Sequence, residues 1–280
     1  MNKKRFAALL AAALCISALT ACSQSSGTSP DPGDSSTQAK TSAGLLTQIQ
    51  QRGEIIVAVE GTWAPWTYHD ENDQLVGYDV EIARSIAEKL GVEVNFVEGE
   101  WDGLLAGLDA GRYDIMVNGV DIDETRAEKY DFSTPYAYNR PAVMVRADNE
   151  EIRSMEDLDG KSTANTLNST YANVAEGYGA EVTGVDDFIQ TVELLNSGRI
   201  DATLNAEVSY YDYMAQHPDA NIKIACIDPA STQVAIPMRK GEESAALLEA
   251  VNAALAELGE NGTLSELSVK YFGTDISKEQ

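Results

Sequence analysis

The chain has 280 residues, with 20 Lys and Arg against 45 Asp and Glu, for a formal net charge of −25. Such a balance excludes nucleic acid as a partner and disfavours adhesion to anionic lipid through a basic patch. Three cysteines and the histidines His69 and His217 are too few for a cysteine zinc centre or a histidine-based metal or catalytic site, so no metal and no cofactor is expected.

Lys3, Lys4 and Arg5 precede an apolar run from Phe6 to Leu14, and small residues follow. This is the layout of a secretory signal over residues 1–21, and the run is too short to span a bilayer comfortably. Leu19, Thr20 and Ala21 stand before Cys22, and this LTAC resembles the bacterial lipoprotein box, which implies that Cys22 is lipid-modified. An ordinary cleaved signal with an incidental cysteine is the alternative. Loss of Lys3, Lys4 and Arg5 leaves 17 positive against 45 negative charges, a net −28. Residues 22–44 are dominated by Ser, Thr, Gly, Pro, Asp and Gln, cannot bury a core, and read as a tether. The expected location is the outer face of the cell membrane. Roughly 230 residues remain, ample for two modest domains. In that part Cys226 stands alone within IKIACI, so no internal disulfide is available and a buried apolar role is expected.

Further along, WDGLLAGLDAGRYDIMVNGVDIDETRAEKYDFSTPY runs from Trp101 to Tyr136. Leu104, Leu105 and Leu108 predict a short helix stopped at Gly111. Tyr113 to Val117 predicts a strand buried on both faces, ended by Asn118 and Gly119. Asp121 and Asp123 offer N-cap oxygens, and Glu124 suits the first turn of a short helix carrying Arg126. Ligands of open α/β sheets sit beyond the carboxyl ends of the strands, which is where Arg126 falls. It is either a ligand anchor or a surface arginine paired with Glu124 or Asp123.

GRYDIMVN at 111–118 recurs as GRIDATLN at 198–205, with Gly, Arg, Asp and Asn at the same spacing. Each copy follows a candidate helix, so two matched α/β units are expected, suited to two lobes that each carry a parallel sheet. Two such lobes can present equivalent strand ends to each other across a cleft.

At this point the chain resembles the bacterial extracellular solute-binding proteins of family 3, the amino-acid-binding lipoproteins of ABC importers, in their cystine-like and polar amino-acid branch. The resemblance rests on EGTWAPWTYHD at 60–70, LVGYDVEIARSIAEKLG at 75–91, the segment 100–120, Thr125 with Arg126, KYDFSTPY at 129–136 and GRIDATLN. It implies an α/β fold of the two-lobed periplasmic-binding-protein type II, with two hinge strands. Lobe one would hold residues 52–145 and 238–273, lobe two residues 146–237, with hinges at 143–146 and 235–238.

The same resemblance implies the ligand contacts. Arg126 matches the carboxylate-binding arginine, whose planar fork of donors suits that group. LNSTY at 167–171 resembles the family's LGTTY, so Ser169 and Thr170 would share the carboxylate at a helix start. Trp63 and Trp101 would wall the side-chain pocket, with Trp101 open to a helix-staple role instead. Trp66 would be core. Glu60 would face the ligand's distal polar end, and Tyr78 is a further pocket candidate. One departure concerns charge: relatives carry aspartate where this chain has Ala206. Asp121 is expected to take over the ligand's ammonium, aided by the Gly119 carbonyl, with Glu207 as the alternative. If the ligand has no ammonium, it is not a standard amino acid.

The implied function is capture of a polar amino acid, with cystine a candidate, by lobe closure and delivery to a membrane permease, performed by a monomer. The alternatives are a small dehydratase-like enzyme on the same fold, for which Glu60, Asp121 and Glu207 are conceivable acids or bases, or a sensory ligand-binding module.

Overall fold

A computed structural model describes residues 43–279; the signal, Cys22 and nearly all of the tether lie outside the described residues. α1 (Leu45–Arg52) ends at Gly53, which turns the chain into β1 (Glu54–Val59). A small antiparallel meander of β2 (Thr62–Trp63), β3 (Thr67–His69) and β4 (Leu75–Val76) leads to α2 (Tyr78–Leu90) and β5 (Glu93–Glu98). α3 (Trp101–Asp109), β6 (Ile115–Met116), α4 (Glu124–Lys129) and β7 (Tyr130–Phe132) follow. β5, β1 and β6 form a parallel sheet with β1 in the middle, Val57 opposite Phe96 on one side and Ile115 on the other. A central parallel strand is covered on both faces, which is why EIIVAV carries no alternation. Leu104 and Leu108 of α3 are fully buried against one face with Met116 and Tyr130. Side chains of their size contribute about 1.5–3 kcal/mol each when so buried.

β8 (Ala137–Asn139) and β9 (Pro141–Arg146) carry the chain to a second sheet, built with β10 (Ser162–Asn165), β11 (Glu181–Gly184), β12 (Ala202–Ala206) and β13 (Ile222–Ile227) in the order β11-β10-β12-β9-β13. β10 runs parallel to β11 and β12, while β9 is antiparallel to β12 and β13. α5 (Thr170–Gly177), α6 (Phe188–Asn196) and α7 (Glu207–Gln216) flank this sheet. β14 (Thr232–Val234) and β15 (Pro237–Arg239) return the chain, pairing with β8 and β7 respectively, and α8 (Glu242–Glu260) and α9 (Thr263–Phe272) pack back over α1 and α2. The result is the expected two-lobed α/β architecture. None of the described helices is long and apolar enough to cross a membrane.

One expectation needs correction. Residues 143–146, read as a hinge with all but Arg146 in lobe one, lie inside β9, hydrogen-bonded on both sides within the second sheet. The apolar run PAVMVR is buried almost throughout because it is a sheet interior, a context that its composition shares with a crossing strand.

Candidate functional site

Both GRxDxxxN units fold the same way. α3 and α6 end just before Gly111 and Gly198, each at φ 69°, a left-handed turn that glycine adopts without penalty. The Asp that follows anchors the neighbouring strand: the Ile56 N–H donates to Asp114 Oδ2 at 2.7 Å, and the Ser162 N–H donates to Asp201 Oδ2 at 2.9 Å. With the scaffolds matched, the carboxyl ends of β1 and β6 meet those of β10, β11 and β12 around a cavity.

Asp121, Ser169 and Thr170 form one group in the cavity lining. Ser169 caps α5, its Oγ accepting from the Ala172 N–H at 3.1 Å. Asp123, rather than Asp121, caps α4 by accepting from the Arg126 N–H at 2.8 Å. That leaves the Asp121 carboxylate for other bonds. It accepts from the Thr232 hydroxyl on β14 and from Thr170, and burial raises its pKa against the pull of these hydroxyls and of Arg126. Arg126 is buried, with its guanidinium 5.2 Å above the Trp101 ring. Its Nε pairs with Asp123 Oδ2 at 3.1 Å, Nη1 donates to the Asp121 carbonyl at 2.9 Å and Thr170 Oγ1 at 3.1 Å, and Nη2 donates to the Asn168 carbonyl at 2.9 Å. These bonds use four of its five N–H groups. Arg126 thus stands behind the Thr170 and Asp121 wall and borders a second, outer opening shared with Asp102 and Asn168.

The walls are aromatic. Trp63 stacks on Trp66 at 5.3 Å and meets Tyr171 edge-on at 6.4 Å. Its indole N–H donates to Asn205 Oδ1 at 3.1 Å, a bond from the first lobe to the second. Gly119 makes room for it, since a Cβ there would sit 2.5 Å from Trp63 Cζ3. The Gly119 N–H donates to the fully buried Asp79, which also accepts from the Tyr136 hydroxyl at 2.8 Å. Trp101 lines the cavity as well, and its buried indole N–H has no acceptor among the described residues. Trp66 is wholly buried core.

Glu60 and Asp187, one carboxylate from each lobe, form a second group in the lining. Asn118 holds Glu60 from two sides, donating to Glu60 Oε2 at 2.6 Å and accepting from the Glu60 N–H at 2.7 Å. Burial pushes the Glu60 carboxyl up to about 7, against the lowering effect of Asn118 and with the Asp187 charge adding to the rise. Asp187 caps α6, accepting from the Gln190 N–H at 2.8 Å.

Three expected site residues do not line the cavity: Arg126, expected to hold a carboxylate directly, stands behind the wall with its N–H groups spent on protein acceptors, and Tyr78 and Glu207 lie elsewhere. Tyr78 is fully buried, donates to the Tyr136 carbonyl at 3.1 Å and packs on Trp66 and Phe272, so it is core. Glu207 pairs with Arg140 and lines a separate hollow with Tyr211. β12 ends in Ala206 and the chain turns directly into α7, which carries Glu207 away from the cavity. Asp187, Phe188, Thr166 and Asn205 line the cavity without having been singled out as contacts. For Asp187 a signal was present, since VDDF before an apolar helical face reads as an N-cap. Cys226 is half-buried, its thiol pushed up to about 11 by burial and nearby carboxylates, which suits the apolar role rather than a nucleophile. No group of acidic, His and Cys side chains able to hold a metal occurs among the described residues.

A small-molecule cavity at facing strand ends, between two lobes joined by paired crossing strands, defines a binding protein that closes on its ligand. The sequence pattern of the bacterial extracellular solute-binding proteins, family 3, matches residues 55–274, and the chain belongs to that family. The L-cystine-binding protein TcyA of Bacillus subtilis is 39% identical over 235 residues, covering 84% of this chain and 87% of the relative. Among solved structures, an ancestral arginine-binding protein bound to arginine is 37% identical with a TM-score of 0.74, covering 79% of this chain and 99% of that one. The L-cystine solute receptor of Neisseria gonorrhoeae, in its unliganded open conformation, is 37% identical with a TM-score of 0.58, covering 85% and 100%. The better fit to the arginine-bound structure agrees with the bonds that cross the cleft here. The chain is an exported solute-binding protein and not an enzyme.

Proposed function

We propose that this protein captures a polar amino acid whose far end carries a positive charge, L-cystine foremost, and presents it to the permease of an ABC importer. The observation that carries the ligand class is that the cavity lining holds two polar groups, Ser169 and Thr170 with Asp121 in one and the carboxylates of Glu60 and Asp187 in the other. Ser169, Thr170 and the N–H groups opening α5, with Arg126 beside them, suit a carboxylate. Asp121, buried in the same group, suits the α-ammonium in place of the aspartate that Ala206 replaces, with the Gly119 carbonyl beside it. Glu60 and Asp187 then face the ligand's second end, where a lone anionic group would be repelled and a cation welcomed. The ammonium of cystine's second half meets this requirement, and so does the guanidinium of arginine. Cystine is favoured by the identity to TcyA.

Closure would work through the crossing strands. Asp121 is bridged to Val234 and bonded to Thr232, so a ligand held by Asp121 bears directly on β14, and we place the hinge at β8 and β14. The first lobe would then end before β9. Tethered by a lipid at Cys22 and acting as a monomer, the protein would offer its closed form to the permease.

A thermal-shift screen against the standard amino acids and cystine tests the reading. A ligand at a hundred times its dissociation constant stabilises the folded state by about 2.7 kcal/mol. L-cystine is expected to give the largest shift, with L-arginine next. A flat response across the panel would overturn the amino-acid assignment.

A further inference from the structure

We infer that Asn168 is a latch across the mouth of the cleft, an affinity-determining residue distinct from the groups lining the cavity. Asn168 sits in the left-handed region at φ 58°, where a side chain other than glycine is uncommon and asparagine is among the few tolerated. The position lies in LNSTY, where the family's LGTTY has glycine, so this chain has placed a side chain where none is needed to make the turn.

That side chain reaches the other lobe. Asn168 Nδ2 donates to Asp102 Oδ1 at 3.0 Å, while the Asn168 carbonyl accepts from Arg126 Nη2 at 2.9 Å. Asp102 stands in the first turn of α3, packed on the first sheet, and Asn168 precedes α5, packed on the second. One residue therefore grips two first-lobe elements, and the left-handed turn aims its amide and carbonyl across the same gap. Asp102 and Asn168 are both exposed, so water competes for the side-chain bond and its effect is modest. The bond forms only when the lobes meet, so all of its effect falls on the closed state.

The latch rests on the reading of the two lobes as bodies that close, and the test separates the two. Spin labels attached by non-cysteine chemistry at the exposed positions Glu193 on α6 and Glu249 on α8 report the inter-lobe distance by pulsed electron paramagnetic resonance. Asn168→Gly keeps the left-handed turn and removes only the side chain. It is expected to shift the ligand-free distribution about threefold toward longer distances, the scale of an exposed charge-assisted bond. Asp102→Ala should act alike, and the double variant should go no further than either single one. An Asn168→Gly distribution that matches the wild type, or single-variant shifts that add in full, would overturn the latch. A wild-type distance that fails to shorten with L-cystine or L-arginine would count against the proposed ligands and leave the latch result readable.

Discussion

GRYDIMVN in the first lobe and GRIDATLN in the second begin alike and end differently. Through the aspartate they are the same device. Each Asp takes the N–H of the strand beside it, and its own N–H returns a bond, Asp114 to the Ile56 carbonyl and Asp201 to the Ser162 carbonyl, both at 2.9 Å. At the asparagine the copies part. Asn118 is wholly buried and turns inward, fixing Glu60 and accepting from the Thr67 hydroxyl at 2.9 Å. Asn205 turns outward and accepts the Trp63 indole from the opposite lobe. Beyond the asparagine, Gly119 and Asp121 remain at the cavity while Ala206 leads straight into α7. The duplicated text therefore builds a scaffold twice and a binding site once.

Four substitutions sharpen that contrast by their effect on stability. Asp114 is buried and also pairs with Arg52, whereas Asp201 is exposed. Asp114→Ala should cost about 2 kcal/mol, because it leaves the part-buried Ile56 N–H without its acceptor, while the exposed Arg52 keeps water and Glu54. Asp201→Ala should cost about 1 kcal/mol, with water replacing the lost partner. Urea unfolding of both variants checks this, and equal losses would break the distinction between a buried and an exposed copy of one device. Next, Asn118→Ala should destabilise the ligand-free protein by about 2 kcal/mol. Asn205→Ala should leave that stability nearly unchanged and weaken ligand binding several-fold, since its bond to Trp63 belongs to the closed cleft. Unfolding and titration of the same two variants would reveal a reversed pattern if the asparagines were interchangeable.

A smaller effect is written in pH. Because Glu60 titrates near 7 in the folded protein, above the ordinary carboxylate range, it holds a proton there that the unfolded chain has released. Its contribution to stability is complete below the unfolded value and is lost as pH rises through about 7. Affinity for a cationic ligand end moves the other way, rising about tenfold from pH 6 to pH 8 as the carboxylate forms. Titration of Glu60→Gln at both pH values should show that slope flattened.

Much of this could be read from the residues. Glycine stops, the apolar strand run at 113–117 and the repeated spacing announced two α/β units, because periodicity and turn chemistry are local. Arg126 was legible as a strand-end cation that either anchors a ligand or pairs with Asp123, and Ser169 as a helix cap, but the burial of Arg126 was not. The errors arose where tertiary context decides. Tyr78 opens α2 beside a glycine, but whether it faces cleft or core depends on Trp66 and Phe272, and Phe272 lies 194 residues further along the chain. Glu207 follows the second asparagine by two positions, just as Val120 follows the first, yet α7 begins there at once and carries it to Arg140. The hinge was misplaced for the same reason, since a buried apolar run does not say which sheet buries it.

Calorimetric titration of L-cystine, and in parallel L-arginine, into the wild type and Arg126→Ala tests the central claim most directly. The prediction is one ligand per chain, recovered unchanged afterwards, with affinity at least tenfold weaker in Arg126→Ala, because the guanidinium holds Thr170 and the Asp121 backbone in the cavity wall and supplies positive charge behind the carboxylate. Undiminished binding by Arg126→Ala, or no binding of either ligand by the wild type, would contradict it.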